Sequence, residues 1–144
     1  MTLTHFPILT AIALLPLALS AAPLQGNGII PAPVKCEAGT GNMVLSGQTK
    51  IVWHGNGTEE LARTLGSGLK ERTGLSLSTL AWSETDNPTA SIIIERTTAA
   101  GSPGPATAEA YSLVVSPSNI TVRASSEAGL FYGVQSLLQL ATSK

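Results

Sequence analysis

Just two stretches of this 144-residue chain carry apolar side chains at helical spacing, and that scarcity constrains the architecture more than any other feature. From Thr58, the residues Leu61, Leu65 and Leu69 recur every four positions, with Ala62 beside them. Near the other end, Ser125 or Ser126 caps a second helix in which Leu130, Val134, Leu137, Leu138 and Ala141 form a stripe. Elsewhere apolar residues alternate or run together, as strands require. Two helices are too few to cover both faces of a sheet. The pattern therefore predicts an α+β fold of two layers, one mixed β-sheet with two helices packed on one face.

The strands are read from short runs. Ile29-Ile30-Pro31-Ala32-Pro33-Val34 is expected to be extended, because prolines and the residues before them avoid helical dihedrals. Met43-Val44-Leu45 and Ile51-Val52-Trp53 lie between glycine-rich turns and read as the first strands. The helix from Thr58 has Glu59 and Glu60 in its first turn, Lys70 and Arg72 in its last, and Gly74 just after, charges that suit its dipole. Gly66 and Gly68 inside it each cost about 1 kcal/mol relative to alanine. One of them is expected to let the helix backbone come close to a sheet. Leu75 to Ala81 alternates as a half-buried strand, and Ser91-Ile92-Ile93-Ile94-Glu95 suits a central strand covered on both faces. Thr97 to Ala108 has no period and is expected to be a long exposed loop. Tyr111, Leu113 and Val115, the turn Ser116 to Asn119, and Ile120, Val122 and Ala124 make a β-hairpin.

Phe6 to Leu19 is an uncharged run, interrupted by two prolines and too short to span a bilayer as a helix. Ala18-Leu19-Ser20 offers small side chains where a signal peptidase looks for them. Residues 1–20 are therefore expected to be a signal peptide, 21–28 a flexible lead-in and 29–144 one domain, with the mature protein secreted and off the membrane. Eight basic against nine acidic side chains give a net charge of -1, without the basic excess that binding to nucleic acid demands. Cys36 stands alone, so no intrachain disulfide forms. It is expected to be a small buried hydrophobe. Asn56-Gly57-Thr58 and Asn119-Ile120-Thr121 match the N-glycosylation pattern, making Asn56 and Asn119 acceptors if the host glycosylates.

Residues that could carry chemistry are few. Gly55-Asn56-Gly57-Thr58-Glu59-Glu60 follows a strand and opens a helix, as a dinucleotide-binding turn would. Glu60 replaces the third glycine, however, and with Glu59 it sets two negative charges where a pyrophosphate would sit. A glycine turn leading into a helix is the better reading. Glycosidic hydrolysis usually needs two carboxyl groups flanking the bond. Glu84 and Asp86 fall in a polar turn, Glu59 and Glu60 suit one helix dipole, Glu127 the next, and no pair stands out. One cysteine and His54, the sole histidine after the leader, do not make a metal site. No G-x-S-x-G occurs, and no catalytic triad is proposed. Trp53, Trp82, Tyr111, Phe131 and Tyr132 could stack a sugar, but core packing explains them better.

Three stretches together carry a resemblance: Ile29-Ile30-Pro31-Ala32-Pro33, the alternating hairpin Ala110 to Val115 with Ile120 to Ala124, and above all Gly129-Leu130-Phe131-Tyr132-Gly133-Val134-Gln135-Ser136-Leu137-Leu138-Gln139-Leu140. From about Ile29 to Leu140 the chain resembles the N-terminal domain of β-N-acetylhexosaminidases of glycoside hydrolase family 20. Looser versions of the last motif occur in glycosidases acting on O-linked N-acetylglucosamine and in α-glucuronidases. The resemblance implies a sheet bearing two helices, followed in the family by a (β/α)8 barrel that holds the catalytic aspartate and glutamate and the sugar pocket. No catalytic, cofactor-binding or metal-binding residue carries over. It implies an accessory domain, a fragment or rare stand-alone copy, inert toward glycosides alone, with a barrel in cis as its partner and the glycan reached through that barrel. A stand-alone carbohydrate-binding or protein-interaction module is the alternative. Phe131, Tyr132 and Leu140 cannot all face the sheet with the rest of the last helix, which predicts a docking face there. Gly133 is expected to lie against the sheet or hairpin.

Overall fold

The computed structural model describes residues 29–37, 39–83, 88–97 and 108–141. The elements run β1 (Lys50–His54), α1 (Thr58–Thr73), β2 (Ser78–Ala81), β3 (Ser91–Arg96), β4 (Tyr111–Val115), β5 (Asn119–Ala124) and α2 (Glu127–Leu140). The five strands make one mixed sheet in the order β2-β1-β3-β5-β4. β1 runs parallel to β2 and β3, β3 parallel to β5, and β4 antiparallel to β5, so only the hairpin departs from a parallel sheet.

Alternation along the strands sets the two faces. Ile51, Ile92, Ile94, Ile120, Val122 and Ala124 point toward the helices and join Leu61, Ala62, Leu65, Leu69, Leu130, Val134, Leu137 and Leu138 in one core. Val52 and Ile93 are register neighbours on the opposite face and are only 6% and 8% exposed. The isoleucine run of β3 is therefore closed on both sides, as a central strand should be.

The two helices begin differently. At α1, Gly57 sits at φ 80 and offers no side-chain cap, while the Thr58 hydroxyl donates to the Gly55 carbonyl at 2.6 Å. At α2 the Ser126 Oγ accepts from the Gly129 amide at 3.0 Å and donates to the Ala108 carbonyl. The latter is a side-chain N-cap of the ordinary kind. Gly74 at φ 76 ends α1, its amide donating to Lys70.

Several expectations need correction. Met43-Val44-Leu45 forms no strand: Met43 and Leu45 pack against the core while Val44 is 77% exposed, so the alternation is met by packing without a ladder. The strand expected from Leu75 begins at Ser78, because its neighbour β1 begins at Lys50, the register partner of Ser78. Cys36 is exposed rather than buried, lying in the irregular segment ahead of β1 and outside the layered core. The close glycine approach in α1 is made to the other helix. A Cβ on Gly68 would stand 2.9 Å from both methyls of Leu138, whereas one on Gly66 would meet Ile51 at an ordinary 3.5 Å. Residues 1–28, the pair Glu84 and Asp86, and most of the loop expected over 97–108 lie outside the described residues.

Candidate functional site

Three places merit a chemical reading: the crevice at the carboxyl ends of the parallel strands, the sheet face away from the helices, and the outer side of α2. The crevice comes first, because open parallel sheets bind ligands where successive connections diverge to opposite sides. Here β1 leads through α1 to β2 on one side, while β3 and β5 lie on the other. Gly55, Asn56, Arg96 and Ser125 line an open hollow of about 390 Å³ at that point. Arg96 gives Nη1 to the Asn56 carbonyl at 3.2 Å and Nε to the Ser125 carbonyl at 3.5 Å. It thus ties together the two turns that open the helices. A Cβ on Gly57 would lie 3.3 Å from Glu127 Oε2, so a carboxylate already stands at the positive end of α1. Together with Glu59 and Glu60, it leaves the glycine turn to shape the chain rather than to cradle phosphate.

On the opposite sheet face, His54, Glu95 and Arg123 are register neighbours on β1, β3 and β5. Arg123 Nε meets Glu95 Oε2 at 2.5 Å. His54 stands edge-on to Trp82 at 5.6 Å, and its Nδ1 is buried without a hydrogen-bond partner. This row joins residues far apart in sequence, and strand order alone brings Glu95 to Arg123. With Glu95 held by Arg123, the row supplies one committed carboxylate rather than the opposed pair that glycoside chemistry uses. Other acidic groups are spoken for in similar ways: Glu59 pairs with Arg63 at 2.6 Å and Glu37 with Lys35 at 2.9 Å. The Glu37 hydrogen bond and charge raise the pKa of Lys35, a fully exposed pair remote from the core. Among the described residues no three metal-ligating side chains come together.

The aromatics do not gather. Trp53 and Tyr111 pack against the core, and the Tyr111 hydroxyl shares a 2.6 Å hydrogen bond with the buried Ser136 of α2. Trp82 is on the far face with His54. Phe131 and Tyr132 are 43% and 41% exposed on α2 and contact each other edge to face at 5.7 Å. Leu140, at the end of the same helix, is half-buried. Asn56 is exposed, and the side chain of Asn119 accepts from the Ser91 amide at 3.2 Å, capping the start of β3.

Gly129 and Gly133 explain how α2 sits so low on the sheet. A Cβ on Gly133 would stand 2.5 Å from Val122 Cγ1 and 3.2 Å from the Tyr111 ring. One on Gly129 would run into the Ala110 carbonyl and come within 2.9 Å of the Ala124 side chain. That close seating turns Phe131 and Tyr132 outward.

Sequence reading did not anticipate one polar contact. The Ile30 amide donates to Gln139 Oε1 at 2.7 Å, and Gln139 Nε2 donates to the Ile30 carbonyl at 3.1 Å, across 109 residues of sequence. No local pattern signals this pairing.

Comparisons with known proteins converge. The family model described as glycosyl hydrolase family 20, domain 2, matches residues 27–144. Among solved structures, the chain is similar to the GH20 β-N-acetylhexosaminidase from Streptomyces coelicolor A3(2), with a TM-score of 0.58 and 25% identity over 86% of this chain. It is similar too to the N-acetyl-β-hexosaminidase of Streptomyces plicatus, whose structure holds thio-NAglucal, with a TM-score of 0.56 and 25% identity over 81% of this chain. The chain spans about a quarter of the length of these relatives, 25% and 23%. Among curated proteins none matches.

Proposed function

The chain belongs to glycosyl hydrolase family 20 as its domain 2, and from that premise we propose that it is the non-catalytic accessory unit of a secreted β-N-acetylhexosaminidase, docking on and supporting a catalytic barrel. The reaction served is hydrolysis of terminal N-acetylhexosamine, performed in the barrel. The chain's contribution is a rigid surface.

The observation that carries this reading is the exposed pair Phe131 and Tyr132 on a helix otherwise seated firmly in the core. An aromatic side chain presents roughly 150–250 Å² to be buried. At about two fifths exposure, each keeps roughly 80 Å² in water. Covering both would contribute up to about 4 kcal/mol at about 25 cal/mol per Å². That is enough to hold a neighbouring domain when the two are joined covalently, because the linkage removes most of the entropic cost of association. Leu140, nine residues from Phe131 and so on the opposite side of the helix, is half-buried and takes no part in this patch.

A chimaera tests the proposal. Residues 27–144 replace the matching quarter of the Streptomyces coelicolor enzyme, and hydrolysis of a chromogenic N-acetylglucosaminide is followed as temperature rises. Replacing both Phe131 and Tyr132 by serine should lower the inactivation temperature by several degrees, about 2–4 °C for each kcal/mol lost. The isolated chain should show no turnover. An inactivation temperature indifferent to the double substitution, or turnover by the chain alone, overturns the reading.

A further inference from the structure

We propose that the segment Ile29–Pro33 is part of the docking surface itself, a strap laid over the end of α2 whose outward side chain Ile30 meets the same barrel as Phe131 and Tyr132, and that Gln139 is the residue that positions it. This rests on the docking reading above. It adds a second element to the surface and a polar latch that sets its place.

The strap is anchored on one side and bare on the other. Ile29 is 8% exposed and Ile30 is 80% exposed, so adjacent residues point respectively into the domain and away from it; the segment is not the straight extended run the prolines suggested, since the chain bends at Ile30 and Pro31. Between them the backbone is gripped twice by one side chain, Gln139 accepting from the Ile30 amide at 2.7 Å and donating to its carbonyl at 3.1 Å. A primary amide is well suited to this grip: its oxygen and nitrogen reproduce the acceptor and donor of a neighbouring strand. The amide and carbonyl of Ile30 are thereby both satisfied without a sheet partner, and the strap's place on α2 is fixed through a single residue.

Helix geometry places strap and aromatics on one side. Tyr132 and Gln139 are seven residues apart, nearly two full turns, so they share a face about 10 Å apart along the axis. Half-buried Gln135 lies between them, three residues from Tyr132 and four from Gln139. The outer face of α2 thus reads as two aromatics, a polar amide, and an isoleucine held out by a second amide. The outer side of α1 is different in kind, with Glu60, Arg63, Ser67 and Glu71 exposed. Of the two helices, then, α2 with the strap is the one whose outer side suits an apolar occupant. The chain covers 25% of the Streptomyces coelicolor enzyme, so relatives carry three further quarters of polypeptide from which such an occupant comes. The occupant we assign is the catalytic barrel.

The same chimaera and the full chain by itself provide the test, with Ile30→Ser, Gln139→Ala and Phe131→Ser. In the isolated chain Ile30→Ser should leave the melting temperature unchanged, because that side chain is already in water. Gln139→Ala should speed hydrogen exchange at the Ile30 amide by about fivefold, the loss of one ordinary hydrogen bond. In the chimaera, both Ile30→Ser and Gln139→Ala should lower the inactivation temperature by about 2–4 °C. If Phe131→Ser lowers it and Ile30→Ser does not, the strap inference fails and the docking reading stands. If neither does, or if the unaltered chimaera is inactive, both fall. A melting temperature of the isolated chain that drops with Ile30→Ser also overturns the strap inference, since the residue would then serve the fold rather than a partner.

Discussion

α1 and α2 lie side by side on one face of the same sheet, are of similar length, and each contains two glycines, yet they are finished for different surroundings. α1 turns charge outward, with Glu59 paired to Arg63 and acidic and basic residues at the ends its dipole favours. α2 carries a single acidic residue in its first turn, no basic residue in its last, and two exposed aromatics. The glycines differ as well. Those of α2 are needed because backbone meets sheet; of those in α1, Gly66 has room for a side chain and Gly68 makes space for Leu138 of its neighbour. Of two helices that share a core, α1 turns charge to the solvent and α2 turns aromatic surface to it.

The largest effect that would sharpen this contrast is expected at Gly133. Leucine there must displace Val122 and the Tyr111 ring at once. It should cost about 3 kcal/mol or more and lower the melting temperature by more than ~10 °C. An unchanged melting temperature would remove the claim that α2 is seated by its glycines. Next is the difference between the helix starts. Ser126→Ala deletes the cap of α2 and should cost about 1 kcal/mol, some 4–8 °C in thermal unfolding. A loss much below that would mean the cap hydroxyl is no more important than at the start of α1, where no side-chain cap exists. The smallest effect has the opposite sign. Gly66→Ala meets Ile51 at an ordinary contact distance and gains helix propensity, so it should raise stability by about 0.5–1 kcal/mol. Destabilisation instead would show that α1, like α2, depends on close approach to the sheet.

Much of the fold was legible before the structure because amphipathic period is a local signal. The leucines at four-residue spacing marked α1 to within a residue of its ends, the serines at 125 and 126 marked the start of α2, of which Ser126 is the cap, and the alternation after Tyr111 marked the hairpin. The failures have one origin. Met43-Val44-Leu45 alternates like a strand, but a strand also needs a ladder partner, and nothing in three residues says whether one is free. Cys36 belongs to a residue type commonly buried, and its exposure follows from where its segment runs. In the candidate site, Phe131 and Tyr132 could be picked out because a helix has only one apolar stripe to bury. The crevice tied by Arg96, the Glu95–Arg123 pair and the Gln139 latch could not, since each joins residues 28 to 109 positions apart.

By itself the sequence determined the class of the fold, two helices and one sheet in two layers, because that follows from which residues are apolar and at what interval; the family was marked instead by the resemblance of particular stretches, Gly129 to Leu140 above all. Strand order, the seating of α2 on Val122 and Tyr111, and the grip of Gln139 on Ile30 were decided by tertiary structure alone. Backbone hydrogen bonds between strands are nearly blind to side-chain identity, and close approach is a property of two surfaces together, so neither is written in any single stretch of chain.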